Sequence, residues 1–298
     1  AAAGPIAGKV TNTSAAPLVG IEVCAIDFSS FTERCTQTDA EGEYSIAESG
    51  LGDKVHFFGT ENHAPSVAPQ WYPGKAHPEE ALPVTEADIA GGVDAVMAKG
   101  ATVNGEVLDM SNEAPIQGVE ICPNPTVHRA GETTFCARSD LNGDFVLRNL
   151  AGGEYDVELS TAGHVNYVDD TFSGIPIAAG SSVGFSFYMR RGVEVRGNVS
   201  EAGTGQPVEW LGPPYAAPQI CAVNEETEEA VKCTTLIPGG AWSIPGIPPN
   251  QLFALSFALD GPVPDGYVAQ WWNDVAAFDE ATIIFGGGGA VLEHKDAL

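Results

Sequence analysis

Positive charge is scarce in this chain: 13 Lys and Arg stand against 40 Asp and Glu over 298 residues, a net charge of −27. Nucleic acid and anionic membrane surfaces repel such a polyanion, so neither is expected as a partner; the balance favours solubility, cations or a saline setting. A run of about 18 apolar residues is also missing, which excludes a membrane-spanning helix. No long stretch carries apolar residues at helical spacing, so a helical bundle is excluded as well. The histidines His56, His63, His77, His128, His164 and His294 lack the i, i+2 or i, i+4 pairing that gathers a zinc ion. They read as surface or turn residues, and no metal and no cofactor is expected. No nucleophile, base and orienting group converge in the sequence, so an enzyme is the weakest of the function classes.

What the chain does contain is one pattern written three times. Gly8-Lys9-Val10, Gly105-Glu106-Val107 and Gly197-Asn198-Val199 each open a segment, and Pro17-Leu18, Pro115-Ile116 and Pro207-Val208 follow. A first cysteine comes next, Cys24, Cys122 or Cys221, and then a second, Cys35, Cys136 or Cys233. The first cysteines are 98 and 99 residues apart (122 − 24 and 221 − 122). A period near 100 is too long for a solenoid and right for a small domain, so the reading is three homologous domains, 1–100, 101–192 and 193–298.

Domains of this size sit near the lower limit for a self-sufficient core. The two cysteines of each repeat, separated by 11, 14 and 12 residues, supply a staple if each pair forms an internal disulfide, worth roughly 3 kcal/mol by loop closure. The alternative is six buried thiols in a cytosolic protein. Disulfides imply export, and the expected location is extracellular, at the cell surface. The leading Ala1-Ala2-Ala3-Gly4 reads as a mature N-terminus or as a linker from a preceding domain.

Periodicity points to strands. Gly20-Ile21-Glu22-Val23-Cys24-Ala25-Ile26, Gly118-Val119-Glu120-Ile121-Cys122 and Gly153-Glu154-Tyr155-Asp156-Val157-Glu158-Leu159 alternate apolar with polar positions. Thr38-Asp39-Ala40-Glu41-Gly42-Glu43-Tyr44 and Ser139-Asp140-Leu141-Asn142-Gly143-Asp144-Phe145 read as hairpin turns, with Asp at the start and Gly at positive φ; Pro238-Gly239-Gly240-Ala241-Trp242 replaces them in the third repeat. With 35 Gly and 21 Pro the chain is expected to be all-β. The linkers at Lys99-Gly100 and Arg191-Gly192 are short, so a semi-rigid, elongated array is expected.

These residues carry a resemblance. Gly8, Val10, Pro17, Leu18, Gly20, Val23, Thr38, Asp39, Gly42 and Tyr44, with Gln70-Trp71-Tyr72 echoed by Gln270-Trp271-Trp272, resemble the carboxypeptidase regulatory-like domain, a transthyretin-type sandwich related to Cna-B stalk modules. The resemblance covers almost the whole chain and implies three tandem Ig-like or transthyretin-like β-sandwiches of a secreted or surface bacterial protein, as in actinobacteria. Related modules sometimes hold a Lys–Asn or Lys–Asp isopeptide bond, for which Lys9 and Asp94 are the candidates here.

Gly180-Ser181-Ser182-Val183-Gly184 fits the G-x-S-x-G pattern of hydrolases, but strand rather than helix is expected after it, so it reads as a turn. Asp39/Glu41/Glu43 and Asp140/Asn142/Asp144 place oxygens at alternating positions as calcium loops do, yet fall short of a full ligand set. Trp71, Tyr72, Trp271 and Trp272 are the candidate ligand platform for a surface glycan or a protein. The expected function is a non-catalytic structural or adhesive rod that spaces, displays or assembles; the alternative is a carbohydrate- or protein-binding module accessory to a secreted enzyme. Self-association through strand edges is the expected route to filaments, with Ala281-Thr282-Ile283-Ile284-Phe285 able to pair within its own repeat or with a neighbour.

Overall fold

Where apolar and polar side chains alternate, the backbone is extended. The computed structural model describes residues 4–47, 51–61, 63–125, 135–161, 165–208, 218–237, 239–259 and 268–298. Its first strands are β1 (Ile6–Asn12), β2 (Ile21–Asp27), β3 (Thr32–Gln37), β4 (Glu43–Ile46), β5 (Lys54–Gly59), β6 (Gln70–Trp71) and, after helix α1 (Glu86–Gly91), β7 (Ala95–Met97). They form two sheets, ordered β4-β1-β7 and β3-β2-β5-β6. Next come β8 (Ala101–Asp109), β9 (Glu120–Pro125), β10 (Ala137–Arg138), β11 (Asp144–Leu150), β12 (Gly153–Ser160), β13 (Asp170–Ile177) and β14 (Ser182–Met189), ordered β11-β8-β14 and β10-β9-β12-β13. The last are β15 (Val193–Asn198), β16 (Pro218–Asn224), β17 (Ala230–Thr235), β18 (Ala241–Ile247), β19 (Leu252–Leu259), β20 (Gln270–Trp271), β21 (Ile284–Phe285) and β22 (Val291–Leu292), ordered β18-β15-β22 and β17-β16-β19-β20, with β21 also on β19. One sheet order thus recurs three times, and the fold class is all-β, built of tandem sandwiches.

Each sandwich buries the facing sides of its two sheets. In the first, Ile6 and Val10 of β1, Ile21, Val23 and Ala25 of β2, and Val55 and Phe57 of β5 meet in one core. In the last, Val193 and Val195 meet Ile220, Trp242, Ile244 and Leu255. Helix α1 departs from the all-strand expectation; Thr85 caps it, with the Asp88 carboxylate accepting in return from the Thr85 amide as a capping box.

The Gly-x-Val openers have a packing reason. Gly8, Gly105 and Gly197 pair across strands with the aromatic residues Tyr44, Phe145 and Trp242. A Cβ on any of the three would run into a neighbouring backbone carbonyl, that of Val93, Phe185 or Lys295. At Gly105 and Gly197 the ring opposite, Phe145 or Trp242, lies against the bare glycine backbone, a pairing known to stabilise strand glycines. In the first sandwich the Tyr44 hydroxyl also donates to the Val93 carbonyl at 2.6 Å.

By packing, the chain divides into two compact units: residues 1–107, 115–159 and 171–187 form one, and 108–114, 160–170 and 188–298 the other. The division cuts the strands β8, β12, β13 and β14 instead of falling in a linker.

Candidate functional site

The cysteines sit directly opposite one another on neighbouring strands. Cys24 of β2 pairs in register with Cys35 of β3, and Cys221 of β16 with Cys233 of β17. The Cα separations are 4.1 Å for Cys24–Cys35, 4.2 Å for Cys122–Cys136 and 4.1 Å for Cys221–Cys233, and all three pairs are bonded.

The register extends each staple into a row. Cys24 faces His56 on β5, and His56 faces Trp71 on β6. In the last sandwich the same row runs from Cys233 through Cys221 and Ser256 to Trp271. Because the neighbours Val23, Ala25, Val55 and Phe57 fill the core, period-two alternation puts Cys24 and His56 on the opposite face of the sheet. That outer face is nonetheless covered. The His56 ring stacks on Trp71 at 4.3 Å and approaches Phe58 at 4.8 Å, Phe28 stands 6.0 Å from Trp71, and the Lys54 ammonium donates to the Pro78 carbonyl at 2.7 Å. Burial of this kind disfavours imidazolium and brings the His56 pKa down to about 4.

This geometry corrects the reading of Trp71. Trp71 is only 1% exposed, so its ring is packing and has no free face for a sugar. Tyr72 packs against the first core and donates its hydroxyl to Asp88 at 2.8 Å. Trp271 and Trp272 are half-buried: Trp271 meets Phe278 edge to face at 4.9 Å, and the Lys295 ammonium sits 4.5 Å from the Trp272 ring centre. Trp71 is therefore removed from the candidate ligand residues, while Trp271 and Trp272 stay partly open. His56 departs from the expected surface position, whereas His294 is exposed; His128 and His164 lie outside the described residues.

The acidic turns are occupied with their own backbone. Asp39 Oδ1 accepts from the amides of Glu41 (3.0 Å) and Glu43 (2.8 Å), and Asp140 Oδ1 from those of Asn142 (2.8 Å) and Asp144 (3.0 Å). Beneath them, buried Thr38 and Ser139 donate to the carbonyls of Leu18 and Ile116 and accept from the amides of Ile21 and Val119, pinning each turn to the strand ahead. Ser182 opens β14, and its hydroxyl accepts from the Asn104 side-chain Nδ2 at 3.2 Å; a strand follows it, without the helix a nucleophile elbow needs. Asp94 holds the backbone amide of Lys9 at 2.7 Å, while the Lys9 ammonium stands 4.0 Å from Glu43 at the surface.

A buried carboxylate that the sequence did not flag is Asp109, at the end of β8. It accepts from the Ser111 hydroxyl (2.6 Å) and amide (2.7 Å), the Tyr167 hydroxyl (2.8 Å) and the Arg191 guanidinium (2.5 Å). Burial raises its pKa, but these donors together outweigh it and hold the carboxyl well below its ordinary range.

The class of protein that emerges is a tandem β-sandwich whose polar and sulfur-bearing groups secure turns and strand pairs. No family model matches the sequence, and no curated protein matches it. Among solved structures it is similar to the Bacillus anthracis TIE protein (11% identity, 99% of this chain and 50% of that one, TM-score 0.29). It is also similar to a Streptococcal ancillary pilin (13%, 99% and 98%, 0.33) and to the shaft pilin SpaA of Lactobacillus rhamnosus GG (12%, 62% and 97%, 0.27). The chain spans half the length of the first of these. Superpositions this loose carry no argument about function; the fold assignment stands on the strand order itself.

Proposed function

We propose that the protein is a non-catalytic extracellular structural or adhesive protein, an array of three disulfide-stapled sandwiches over residues 1–100, 101–192 and 193–298 that spaces or displays what it is attached to. One observation carries the reading. Among the described residues, the side chains singled out for chemistry are engaged within the sandwiches: cysteines in strand staples, Asp39 and Asp140 in turns, His56 and Trp71 in a packed row. The staples suit an oxidising compartment outside the cell. The resemblance to carboxypeptidase regulatory-like modules is part of this proposal and points the same way.

Self-association through residues 281–285 is not part of it, because Ile284 and Phe285 of β21 pair with Phe253 and Leu252 of β19 inside the chain. The test is small-angle scattering beside a glycan array and ester and glycoside substrates. Three sandwiches in line give a maximum dimension of roughly 100 Å or more, and no turnover. A near-spherical profile overturns the array; turnover abolished by Ser182→Ala overturns the non-catalytic reading; selective glycan capture lost in Trp272→Ala replaces it with a binding module.

A further inference from the structure

Between β7 and β8 the chain passes through Lys99 and Gly100, and a set of buried amides closes around it. Asn149, in a bulge of β11 at φ +60° and 4% exposed, uses every polar group it has on this side. Its Oδ1 accepts from the Val67 amide (3.0 Å), its Nδ2 donates to the Thr60 carbonyl (2.7 Å), and its own amide donates to the Ser66 hydroxyl (2.7 Å). Ser66 in turn donates to the Ala101 carbonyl (3.1 Å), and its carbonyl accepts from the Gly100 amide (3.0 Å). No side chain fits at Gly59 or Gly100: a Cβ would lie 2.7 Å from the Asn149 carboxamide in one case and 2.6 Å from the Val67 backbone in the other.

The same joint is built again one repeat later, with the asparagine on the opposite side. Asn166 occupies the place of Ser66, its carbonyl accepting from the Gly192 amide at 3.0 Å. Gly246 occupies the place of Asn149, in β18 at φ +74°, one residue before the partner of Val193 just as Asn149 precedes the partner of Ala101. Here the carboxamide reaches from the loop to the strand, Asn166 Oδ1 accepting from the Gly246 amide at 2.9 Å. Each joint therefore contains one asparagine, a left-handed residue in the strand and a glycine in the connection. Where the strand residue has lost its side chain, the loop residue has gained the carboxamide.

We propose that Asn149 and Asn166 are positioning residues that lock successive sandwiches into one repeated joint, so that stiffness of the array is encoded in a single carboxamide per joint and not in the linker length. The proposal rests on reading the chain as consecutive sandwiches. The glycines set the contact distance, and the carboxamide holds the loop against the bulge; a joint without it opens by local fluctuation.

Lys99 is exposed while Gly100 is buried, so trypsin reaches the Lys99–Gly100 bond only when the joint opens. Cleavage after Lys99, followed by peptide mass on the full chain, then reports the open population. Asn149→Gly keeps the left-handed backbone and removes the carboxamide; cleavage is expected to accelerate by about tenfold or more. Ser66→Asn with Asn149→Gly rebuilds the second joint's arrangement at the first and is expected to return the rate close to wild type. A single variant cut at the wild-type rate, or a double variant cut as fast as the single, overturns the proposal. If the single variant does not fold, a folded double variant supports the proposal and an unfolded one overturns it. Scattering from the wild-type protein is independent: a compact profile overturns the array and leaves the cleavage comparison standing.

Discussion

Glycines here divide into those that packing requires and those it tolerates. Gly197 faces Trp242 on one side and the Lys295 carbonyl on another, whereas a Cβ at Gly203 would meet nothing within 4 Å. Gly197→Ala is expected to cost roughly 2 kcal/mol or more by overpacking against backbone, and Gly203→Ala to stay within about 0.5 kcal/mol; denaturant titration of the two variants checks the contrast. His56 gives a pH dependence with a definite sign. Burial lowers its pKa from 6.5 to about 4, so its neutral form is the stabilising one. That contribution is complete above the unfolded pKa of about 6.5 and is lost as pH falls from there towards 4, about 2 kcal/mol having gone by pH 5. Half-buried His63 shifts in the same direction. Asp27, held to about 2 by the Ser29 and Ser30 hydroxyls, acts only at lower pH and leaves the window clear. Melting curves between pH 7 and 5 should lose most of their slope in His56→Phe; an unchanged slope would assign it elsewhere.

At the scale of elements, the hairpins are made by side chains that complete the turn and by sulfurs that close the strands. Removing the Asp140 carboxylate takes away two acceptor bonds to the Asn142 and Asp144 amides, and Asp140→Ala is expected to destabilise by about 1 kcal/mol. The disulfides close loops of 11, 14 and 12 residues. Each is worth roughly 3 kcal/mol, a large share of a small domain's total of about 5–15 kcal/mol. Reduction should therefore lower the melting temperature clearly while EDTA leaves it in place, because the turn carboxylates are already bonded to backbone amides. A chelator shift as large as that of reduction would show that cations hold the turns.

For the whole molecule, the net charge of −27 dominates. The described ion pairs are few and exposed on at least one side, as with Lys9–Glu43 and Arg196–Glu194, so self-repulsion is weakly offset. Raising the salt concentration from about 0.01 M to 0.5 M shortens the Debye length from about 30 Å to a few ångström, and the melting temperature is expected to rise. A fall with added salt would mean that attractive pairs outweigh the repulsion.

Strand, turn and repeat are local properties, and the sequence carried them openly. Alternation marked β2 and β12, Asp39 and Asp140 marked the turns, and the recurrence of the glycines and cysteines marked three similar sandwiches. Period two also puts Cys24 on the face opposite Val23 and Ala25, but it does not say that His56 lies beside it or that Trp71, Phe28 and Phe58 close over that face and bury it. Trp71 drops out of the candidate ligand platform for the same reason: exposure of an aromatic depends on what the chain folds over it, and the residues covering Trp71 come from other strands and loops. The short helix after Thr85 was missed because its signal is a capping pair and not a periodicity. Buried Asp109 and the joint at Asn149 were likewise invisible in one dimension: Ser111 lies beside Asp109, but the groups that bury and pair the two residues are tens of residues away, 82 in the case of both Asp109–Arg191 and Asn149–Val67. The sequence by itself determined which segments are strands and which cysteines are near enough to meet, because those follow from the nearest neighbours along the chain. Only the tertiary structure decided which polar groups are buried, paired and unable to act on anything else, because burial is set by packing between distant segments.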